Sequence, residues 1–204
     1  MRFKFYKLAF GNKLITTPKL VAWFALVIAS LVWAQESEQI TRGHKDDQSY
    51  AFRMLPPESF PLLPAPVLRD LEKRHCMVPQ TYEARTPENV IHGAFREKGS
   101  SDWAVLCSQN GTSTLLVFWD SSATRPAEIA AQPDTDTADS HDESRVLGYA
   151  RGIDSVQPSG ISEVLANKPY GPFDHDGIKD VHIEKSAVIH YFKNGSWTTL
   201  SGTE

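Results

Sequence analysis

The sequence predicts a β-rich α+β fold in which two antiparallel β units pack together with one or two short helices. Two hairpin patterns, a repeated spacing of residues before each hairpin, and one short amphipathic segment support this prediction. The chain has 204 residues, of which 41% are hydrophobic, and this is enough apolar material for one packed domain.

The first hairpin pattern lies in the middle of the chain. Residues 103–107 (WAVLC) and 113–119 (STLLVFW) are apolar runs rich in β-branched and aromatic side chains, which favour strands. The connection between them, residues 108–112, contains the pair Asn110-Gly111, and this pair suits the positive φ angles of a tight hairpin turn. The pattern predicts an antiparallel strand pair.

A second hairpin pattern lies near the C-terminus. Residues 181–183, 187–192 and 197–200 are again apolar, β-branched or aromatic runs. Residues 193–195 (Lys-Asn-Gly) place another Asn-Gly pair where a turn is needed. The sequence therefore predicts two separate antiparallel units.

One helix is predicted ahead of the first unit. Pro66 suits the first position of a helix, where a backbone N–H is not needed, and residues 67–76 (VLRDLEKRHC) follow it. Val67, Leu68 and Leu71 recur at helical spacing and form one apolar face. Such a face usually packs on a core and less often binds a partner, so we expect the helix to carry the first cysteine into the core.

The first 34 residues are typical of a secretion signal. Five basic residues and no acidic residue accompany an apolar run over residues 20–34, which is shorter than the about 20 residues that span a bilayer as a helix. We expect cleavage after Ala34, export to the periplasm or the medium, and no stable membrane span afterwards. The alternative is an uncleaved segment that anchors the domain to the membrane. The basic residues are Arg2, Lys4, Lys7, Lys13 and Lys19.

Removal of this segment makes the protein strongly acidic. The mature part keeps 16 of the 21 Lys and Arg residues and all 25 Asp and Glu residues, so its net charge is −9. Phosphate backbones are bound by clustered Lys and Arg. The one local basic cluster, Arg69, Lys73 and Arg74, is interleaved with Asp70 and Glu72, and we therefore expect no binding of nucleic acid.

Both cysteines, Cys76 and Cys107, lie in the exported part of the chain. An oxidising compartment favours their pairing, so we expect one disulfide bond. A catalytic thiol would need a basic and accessible setting, and a zinc site would need further ligands at suitable spacing. Both alternatives are weaker.

Composition divides the rest of the chain. Residues 35–60 are predicted to be a flexible, proline-rich lead-in, and residues 61–204 a single globular domain. This domain contains two repeat units, at about 89–119 and 167–202, and residues 126–144 are predicted to be a mobile acidic loop.

An internal repeat precedes each predicted hairpin. Residues 93–102 and 171–180 share the spacing G-x-F-x-x-x-G-x-x-D in register, and each copy leads directly into a strand pair. The shared spacing indicates a duplicated structural unit. The shared residues are Gly93, Phe95, Gly99 and Asp102 in the first copy, and Gly171, Phe173, Gly177 and Asp180 in the second.

This spacing resembles the FG-GAP or VCBS-type repeat, the blade unit of integrin-like β-propellers, whose loop reads roughly G-D-F-x-x-D-G-x-x-D before a strand. In that family, oxygen ligands at alternate loop positions bind calcium. The resemblance implies one weak Ca²⁺ site in the second copy. Its ligands would be the carboxylates of Asp174, Asp176 and Asp180 and the backbone carbonyl of Ile178.

Both copies depart from the family's pattern. Pro172 stands where the family usually has its first acidic ligand, which leaves one coordination place to water. The first copy has Ala94, Arg96 and Lys98 at the ligand positions, and two cations there make calcium implausible. For the second copy an alternative stays open, in which its aspartates brace a solvated turn through hydrogen bonds to nearby backbone.

The resemblance covers only two loops and the strands after them. It implies two blade-like sheets and not a complete propeller, which needs four or more blades. The chain also resembles uncharacterised bacterial exported proteins, through residues 76–80 (CMVPQ) and through residues 89–107, which contain N-V-I-x-G-x-F and then D-W-A-V-L-C. This second resemblance implies no activity.

No compact catalytic motif is present, and the sequence therefore leans against an enzyme without excluding one. The seven histidines lack the H-E-x-x-H spacing of zinc hydrolases, and the chain has no G-x-S-x-G elbow, phosphate-binding loop or dinucleotide fingerprint. His175 lies between two aspartates and is a metal ligand, a general base or, as we expect, a surface-loop residue. His182 and His190 are expected to be half-buried in strands.

Two functions stay open. The first is a non-catalytic binding module for an extracytoplasmic protein or glycan, and the second is a secreted or periplasmic hydrolase with a metal-assisted site near His175. A cleft that holds His175 and its neighbouring aspartates in a strongly perturbed environment would favour the hydrolase, and a flat loop would favour the binding module. Aromatic side chains expected at the surface are Trp103, Trp119, Tyr149, Tyr170 and Trp197.

Overall fold

The computed structural model describes residues 38–140, 145–165 and 171–201, so the predicted secretion signal lies outside the described residues. The strands are β1 (Gln39–Lys45), β2 (Gln48–Leu55), β3 (Val78–Gln80), β4 (Val90–Gly93), β5 (Asp102–Gln109), β6 (Thr112–Phe118), β7 (Ala127–Pro133), β8 (Ala138–Asp139), β9 (Val146–Tyr149), β10 (Arg151–Val156), β11 (Gly177–His182), β12 (Ser186–Lys193) and β13 (Ser196–Ser201). The α-helices are α1 (Ala65–Lys73) and α2 (Pro158–Val164). Among the described residues, no helix is both long and apolar enough to cross a bilayer.

The N-terminal sheet has five strands. β1 and β2 form an antiparallel hairpin, and its turn residues Asp46 and Asp47 both have the positive φ angles that a two-residue turn requires. The other edge of β2 pairs antiparallel with β3 and parallel with β9. β8 pairs with β9 and completes this sheet.

Two four-stranded antiparallel sheets correspond to the two predicted units. Their strands follow chain order, β4-β5-β6-β7 in the first four-stranded sheet and β10-β11-β12-β13 in the second. Asn110-Gly111 and Asn194-Gly195 form the predicted turns, and all four residues have positive φ angles. The fold prediction is confirmed: two antiparallel units pack together with two short helices, and the described residues form no complete propeller.

The first four-stranded sheet is buried on both faces. Because side chains alternate along a strand, Leu115 and Val117 of β6 point into the main core, whereas Leu116 and Phe118 point to the opposite face. The second four-stranded sheet contributes to the same main core, so the two sheets are held together by shared apolar burial. The buried residues of the main core are Phe52, Met54, Phe95, Ala104, Leu106, Leu115, Val117, Ala138, Leu147, Tyr149, Ile153 and Ile178.

The two helices cover the outer faces of the sheets. Val67 and Leu71 of α1 are completely buried against the first four-stranded sheet, as the sequence predicts. Just after α1, Cys76 forms the predicted disulfide bond with Cys107 of β5, and their Cα atoms are 5.4 Å apart. Ile161 of α2 is buried in a smaller core on the second four-stranded sheet.

The prediction of a flexible lead-in over residues 35–60 was wrong for residues 39–55, which form β1 and β2. β1 is mostly exposed and polar, so its composition resembles that of a disordered segment. Its order comes from pairing with β2, which is fixed in turn because Phe52 and Met54 are buried in the main core.

The prediction of a mobile loop over residues 126–144 was wrong as well, since β7, a 3₁₀ turn and β8 occupy most of it. Residues 141–144 of this segment lie outside the described residues. β7 is held by its antiparallel pairing with β6, and Ile129 packs against the main core. Each four-stranded sheet is therefore larger than the predicted repeat units at 89–119 and 167–202.

Candidate functional site

Both copies of the repeat lie between the first and second strands of a four-stranded sheet. In the first copy, Gly93 ends β4 and Asp102 begins β5. In the second copy, Gly177 begins β11 and Asp180 lies within that strand. The copies therefore lie at the same connection of the two sheets, but the second strand of the sheet begins at the tenth residue of the first copy and at the seventh residue of the second.

A reciprocal pair of hydrogen bonds joins the two copies. The backbone N–H of Ala94 donates to Oδ2 of Asp176 over 2.9 Å, and the N–H of Asp176 donates to the carbonyl oxygen of Ala94 over 2.9 Å. A Cβ atom on Gly93 would lie 3.0 Å from the same carboxylate oxygen and 2.7 Å from the ring of Phe95. Glycine therefore permits this close approach.

Asp180 belongs to a buried ion pair. Arg151, which is 2% exposed, donates to both carboxylate oxygens of Asp180 over 2.9 and 2.6 Å. Nε2 of His190 lies 3.2 Å from the same carboxylate. Burial alone would raise the pKa of this carboxyl group, but the hydrogen bonds from His190 and Arg151 outweigh burial, so the pKa of Asp180 is lowered.

Asp174 forms a compact group with His175 and Tyr191. Its Oδ1 atom lies 2.7 Å from Nδ1 of His175 and accepts a hydrogen bond from the Tyr191 hydroxyl over 3.1 Å. Nε2 of His175 faces the backbone carbonyl of Phe192 at 2.8 Å. The hydrogen bonds from His175 and Tyr191 lower the pKa of the Asp174 carboxyl group.

The residues predicted to bind calcium thus have different partners. Asp174 contacts His175, Asp176 contacts the first repeat copy, and Asp180 contacts Arg151. Ile178 lies inside β11, between Ser155 and His190 of the neighbouring strands. In the part of the chain that the structure describes, no group of three or more His, Cys, Asp or Glu side chains is placed to hold a metal ion. The calcium site stays a prediction.

In the first copy, the carboxylate of Asp102 organises the β4–β5 loop. It is completely buried, and its Oδ2 accepts hydrogen bonds from the N–H of Arg96 over 2.8 Å and from the hydroxyl of Ser100 over 2.6 Å. Its Oδ1 accepts a hydrogen bond from the N–H of Asp120 over 2.9 Å. This carboxylate therefore ties the β4–β5 loop to the β6–β7 connection.

A cleft of about 990 Å³ opens where these loops meet. The first four-stranded sheet contributes residues from the β4–β5 loop and the β6–β7 connection, and the second contributes the segment before β11 and the β12–β13 turn. This volume is in the range of clefts that bind small molecules. The lining residues are Arg96, Glu97, Trp119, Asp120, Ser122, Thr124, Arg125, Pro172, Asp174, His175, Phe192, Lys193, Asn194 and Gly195.

An aromatic cluster of Trp119, Phe192 and Trp197 lies at the cleft. Trp119 stacks on Trp197 with ring centroids 5.7 Å apart, and Phe192 lies 4.9 Å from Trp119 and 5.3 Å from Trp197. Trp119 comes from the first four-stranded sheet and the other two from the second. Because this cluster joins the sheets, it fixes the position of the aromatic surface in the cleft.

Charged side chains of both signs surround the aromatic cluster. Arg96 lies 6.0 Å from the Trp119 ring centroid and 3.7 Å from the Asp120 carboxylate, and both side chains of this ion pair are about half exposed or more. Such an exposed pair contributes little stability and yields easily to a ligand. Within the described residues, the side chains of Arg125 and Lys193 have no ion-pair partner, so they are available for contact in the cleft.

His175 is placed differently from the sequence expectation. It lies in a loop, but it is only 7% exposed, so the prediction of a surface residue was wrong. The reason is its contact with Tyr191, whose ring stacks on the imidazole at 4.3 Å between centroids. His182 is half-buried as predicted, whereas His190 is 6% exposed because of its contact with Asp180.

Three of the five aromatic residues expected at the surface are half-buried: Trp103, Trp119 and Trp197. Trp103 packs against the core that lies under α1, whereas Trp119 and Trp197 pack against the main core. Tyr149 is 1% exposed, so its prediction was wrong, because its hydroxyl group donates to Ser113 inside the main core. Tyr170 lies outside the described residues.

Sequence reasoning missed Tyr191 and Phe192 as site residues, since both read as ordinary strand residues. Arg96 was noted only as a cation at a position where the FG-GAP pattern has a calcium ligand. Only the topology brings these three residues together, because the repeat loop and the β12–β13 turn lie at the ends of their sheets where the cleft opens. The sequence pattern does not show how the two sheets pack against each other.

Comparisons of this chain with protein-family models, with curated proteins and with solved structures found no match.

Proposed function

We propose that this chain is an exported, non-catalytic binding module that holds an extracytoplasmic glycan in the cleft between its two four-stranded sheets. The observation that carries the proposal is the combination of aromatic ring surface and hydrogen-bonding side chains from both sheets around one cleft. We also infer that the two repeat copies are FG-GAP-like units, because their shared spacing occurs at the connection between the first and second strands of each four-stranded sheet.

The lining of the cleft suits a sugar ring. Sugars present apolar C–H faces that stack on aromatic rings, and hydroxyl groups that need hydrogen-bond partners. Trp119 and Phe192 supply ring surface, while Asp174, Asn194 and Ser122 supply acceptors and donors. A flat protein interface would not need these groups in a concave site.

The cleft is lined by His175 and Asp174, as the hydrolase alternative expects, but the contacts of the imidazole favour binding over hydrolysis. Its two ring nitrogens are both engaged, one with Asp174 and the other with the carbonyl of Phe192. A general base needs a free nitrogen within hydrogen-bond reach of the proton that it removes. The aspartate and the histidine therefore serve as a fixed part of the cleft wall.

The disulfide between Cys76 and Cys107 supports export. Disulfide bonds form and persist in oxidising compartments outside the cytoplasm. This agrees with the secretion signal that the sequence predicts for residues 1–34.

An oligosaccharide array tests the proposal. The protein, purified after export, is applied to immobilised neutral and acidic oligosaccharides that include bacterial cell-wall fragments. We expect saturable binding to a subset of these sugars. Trp119→Ala should abolish it, because the substitution removes ring surface from the cleft. Trp103→Ala is the matched control, since Trp103 is also a half-buried tryptophan but does not line the cleft.

Two results would contradict the proposal. If folded protein binds none of the sugars, the glycan assignment fails. If bound oligosaccharides are shortened during incubation, as measured by mass spectrometry of the released products, the chain is a hydrolase and the non-catalytic assignment fails.

A further inference from the structure

The cleft contains one carboxylate whose position is set by its neighbours. Oδ1 of Asp174 lies 2.7 Å from Nδ1 of His175 and 3.1 Å from the hydroxyl oxygen of Tyr191. The backbone N–H of Asp174 also donates to that hydroxyl oxygen, over 3.2 Å. Two hydrogen bonds therefore hold the exposed side chain in a single orientation, and a third ties the backbone of Asp174 to the same tyrosine.

The supporting residues are buried, and the carboxylate is not. His175 is 7% exposed and Tyr191 is 3% exposed, whereas the side chain of Asp174 is 77% exposed. The imidazole of His175 is fixed in turn by the carbonyl of Phe192 at 2.8 Å and by its stacking on Tyr191. Because its neighbours already hold the Asp174 carboxylate in place, this side chain loses little conformational entropy when a ligand binds to it.

The second carboxylate oxygen stays available. Among the described residues, the side-chain hydrogen bonds of Asp174 use Oδ1, and the side chain lines the cleft. Hydrogen bonds to an ionised acceptor are about twice as strong as bonds between neutral groups. Oδ2 is thus placed to accept a hydrogen bond from a ligand hydroxyl group.

We propose that Asp174 is the specificity-determining residue of the cleft, that its Oδ2 atom accepts a hydrogen bond from one sugar hydroxyl group, and that His175 and Tyr191 are positioning residues for it. This inference rests on the proposed glycan-binding function. It explains why a buried histidine and tyrosine support a carboxylate that contributes nothing to the core.

The test uses a defined panel of methyl glycosides of glucose, galactose, mannose and N-acetylglucosamine, each with its monodeoxy analogues. Titration calorimetry measures affinity for the wild type, Asp174→Asn, Tyr191→Phe and Trp119→Ala. For the wild type we expect one deoxy analogue of the bound sugar to bind about 10- to 100-fold more weakly than its parent, as loss of one charge-assisted hydrogen bond predicts. Asp174→Asn should reduce this preference to a few-fold.

Tyr191→Phe separates a positioning role from a structural one. The substitution removes the hydroxyl group that donates to Oδ1 of Asp174 but leaves the Asp174 carboxylate in the cleft. If Tyr191 positions Asp174, Tyr191→Phe should reduce the preference for the hydroxylated sugar over its deoxy analogue, with little change in the affinity for the deoxy analogue. A general loss of stability would lower the affinity for both sugars alike, so a change in the ratio of the two affinities reports on the position of Asp174.

The outcomes distinguish this inference from the proposed function. If the folded wild type binds no glycoside of the panel, the proposed function is overturned and the inference with it. If the wild type binds and Trp119→Ala does not, but Asp174→Asn keeps the full preference for the hydroxylated sugar, the inference alone is overturned. If Tyr191→Phe keeps the full preference for the hydroxylated sugar, the positioning role is overturned.

Discussion

A buried arginine connects the two four-stranded sheets. Arg151 begins β10, donates to the carboxylate of Asp180 in β11, and reaches the carbonyl of Ala130 in β7 over 3.0 Å. A buried ion pair need not stabilise a fold by itself, because removing two charges from water is costly. Removing one partner is different, since it leaves the other charge buried without compensation.

Asp180→Asn is therefore expected to destabilise the protein by about 3 kcal/mol, because it leaves the guanidinium of Arg151 without its counter-charge. The free energy of unfolding in urea measures this loss. Asp154→Asn on the neighbouring strand is the control, since Asp154 is exposed and its substitution should change stability by less than about 0.5 kcal/mol. A comparable effect of both substitutions would contradict the special role of Asp180.

The same residue gives the stability a pH dependence. The pKa of Asp180 is lower in the folded protein than the roughly 3.9 of an unfolded aspartate, so its contribution is fully present above about pH 4 and is lost as the pH falls through the folded pKa. We expect the stability difference between the wild type and Asp180→Asn to shrink between about pH 4 and pH 2. A difference that stays constant over this range would show that the ionised carboxylate is not responsible.

Among the elements, α1 is attached to the first four-stranded sheet by burial and by a covalent bond. The disulfide joins the segment after α1 to β5 across a sequence separation of 31 residues. In the chain-entropy view, a loop of this size restricts the unfolded chain enough to stabilise the fold by about 3 to 4 kcal/mol.

The double variant Cys76→Ser/Cys107→Ser should accordingly lose about 3 to 4 kcal/mol of stability, with a lower thermal midpoint. Calorimetry measures the midpoint, and the wild type under strong reducing conditions should approach the variant. If the variant unfolds at the same temperature as the oxidised wild type, the disulfide is not a main support of α1.

The loops between strands carry a second link, the reciprocal hydrogen bonds of Ala94 and Asp176. Asp176→Ala leaves a backbone N–H in this contact without its acceptor and should cost about 1 to 3 kcal/mol. Thermal melts with and without calcium extend this test to the metal prediction. A calcium-dependent rise in the melting temperature of the wild type that Asp176→Ala abolishes would establish the predicted calcium site, since ligands stabilise the state that they bind.

The molecule as a whole is built so that its two four-stranded sheets share one core. Ile153 and Ile178 of the second sheet are buried together with Leu106 and Leu115 of the first. Asn89 adds a polar bridge, because its side chain contacts the backbone of both β3 and β10. Neither sheet can lose this contact without exposing apolar surface of the other.

We therefore expect the two sheets to unfold in one transition. Hydrogen exchange by mass spectrometry along a urea series should give the same midpoint for peptides from β5–β6 and from β11–β12. Ile178→Ala, which removes a completely buried side chain, should lower both midpoints by the equivalent of about 2 to 5 kcal/mol. Two separate midpoints, with only the second sheet affected, would mean that the sheets are independent.

Short sequence patterns determined the two tight turns and the first helix, because these elements depend mainly on residues that are close together in the chain. Asn110-Gly111 and Asn194-Gly195 predict turns because few other residue pairs accept two successive positive φ angles. The apolar side chains of Val67 and Leu71 are spaced by about one helical turn, so they predict a helix with one buried face. The disulfide followed from the number of cysteines and the compartment.

Tertiary structure decided what those signals could not. β1 and β7 are polar and mostly exposed, so their order depends on pairing with β2 and β6, which are held in place by the core. Asp174, Asp176 and Asp180 look alike in the sequence, yet the fold gives each a different partner, because each partner comes from a different element. The cleft exists only where the ends of both sheets meet, and that meeting is set by the burial of the shared core.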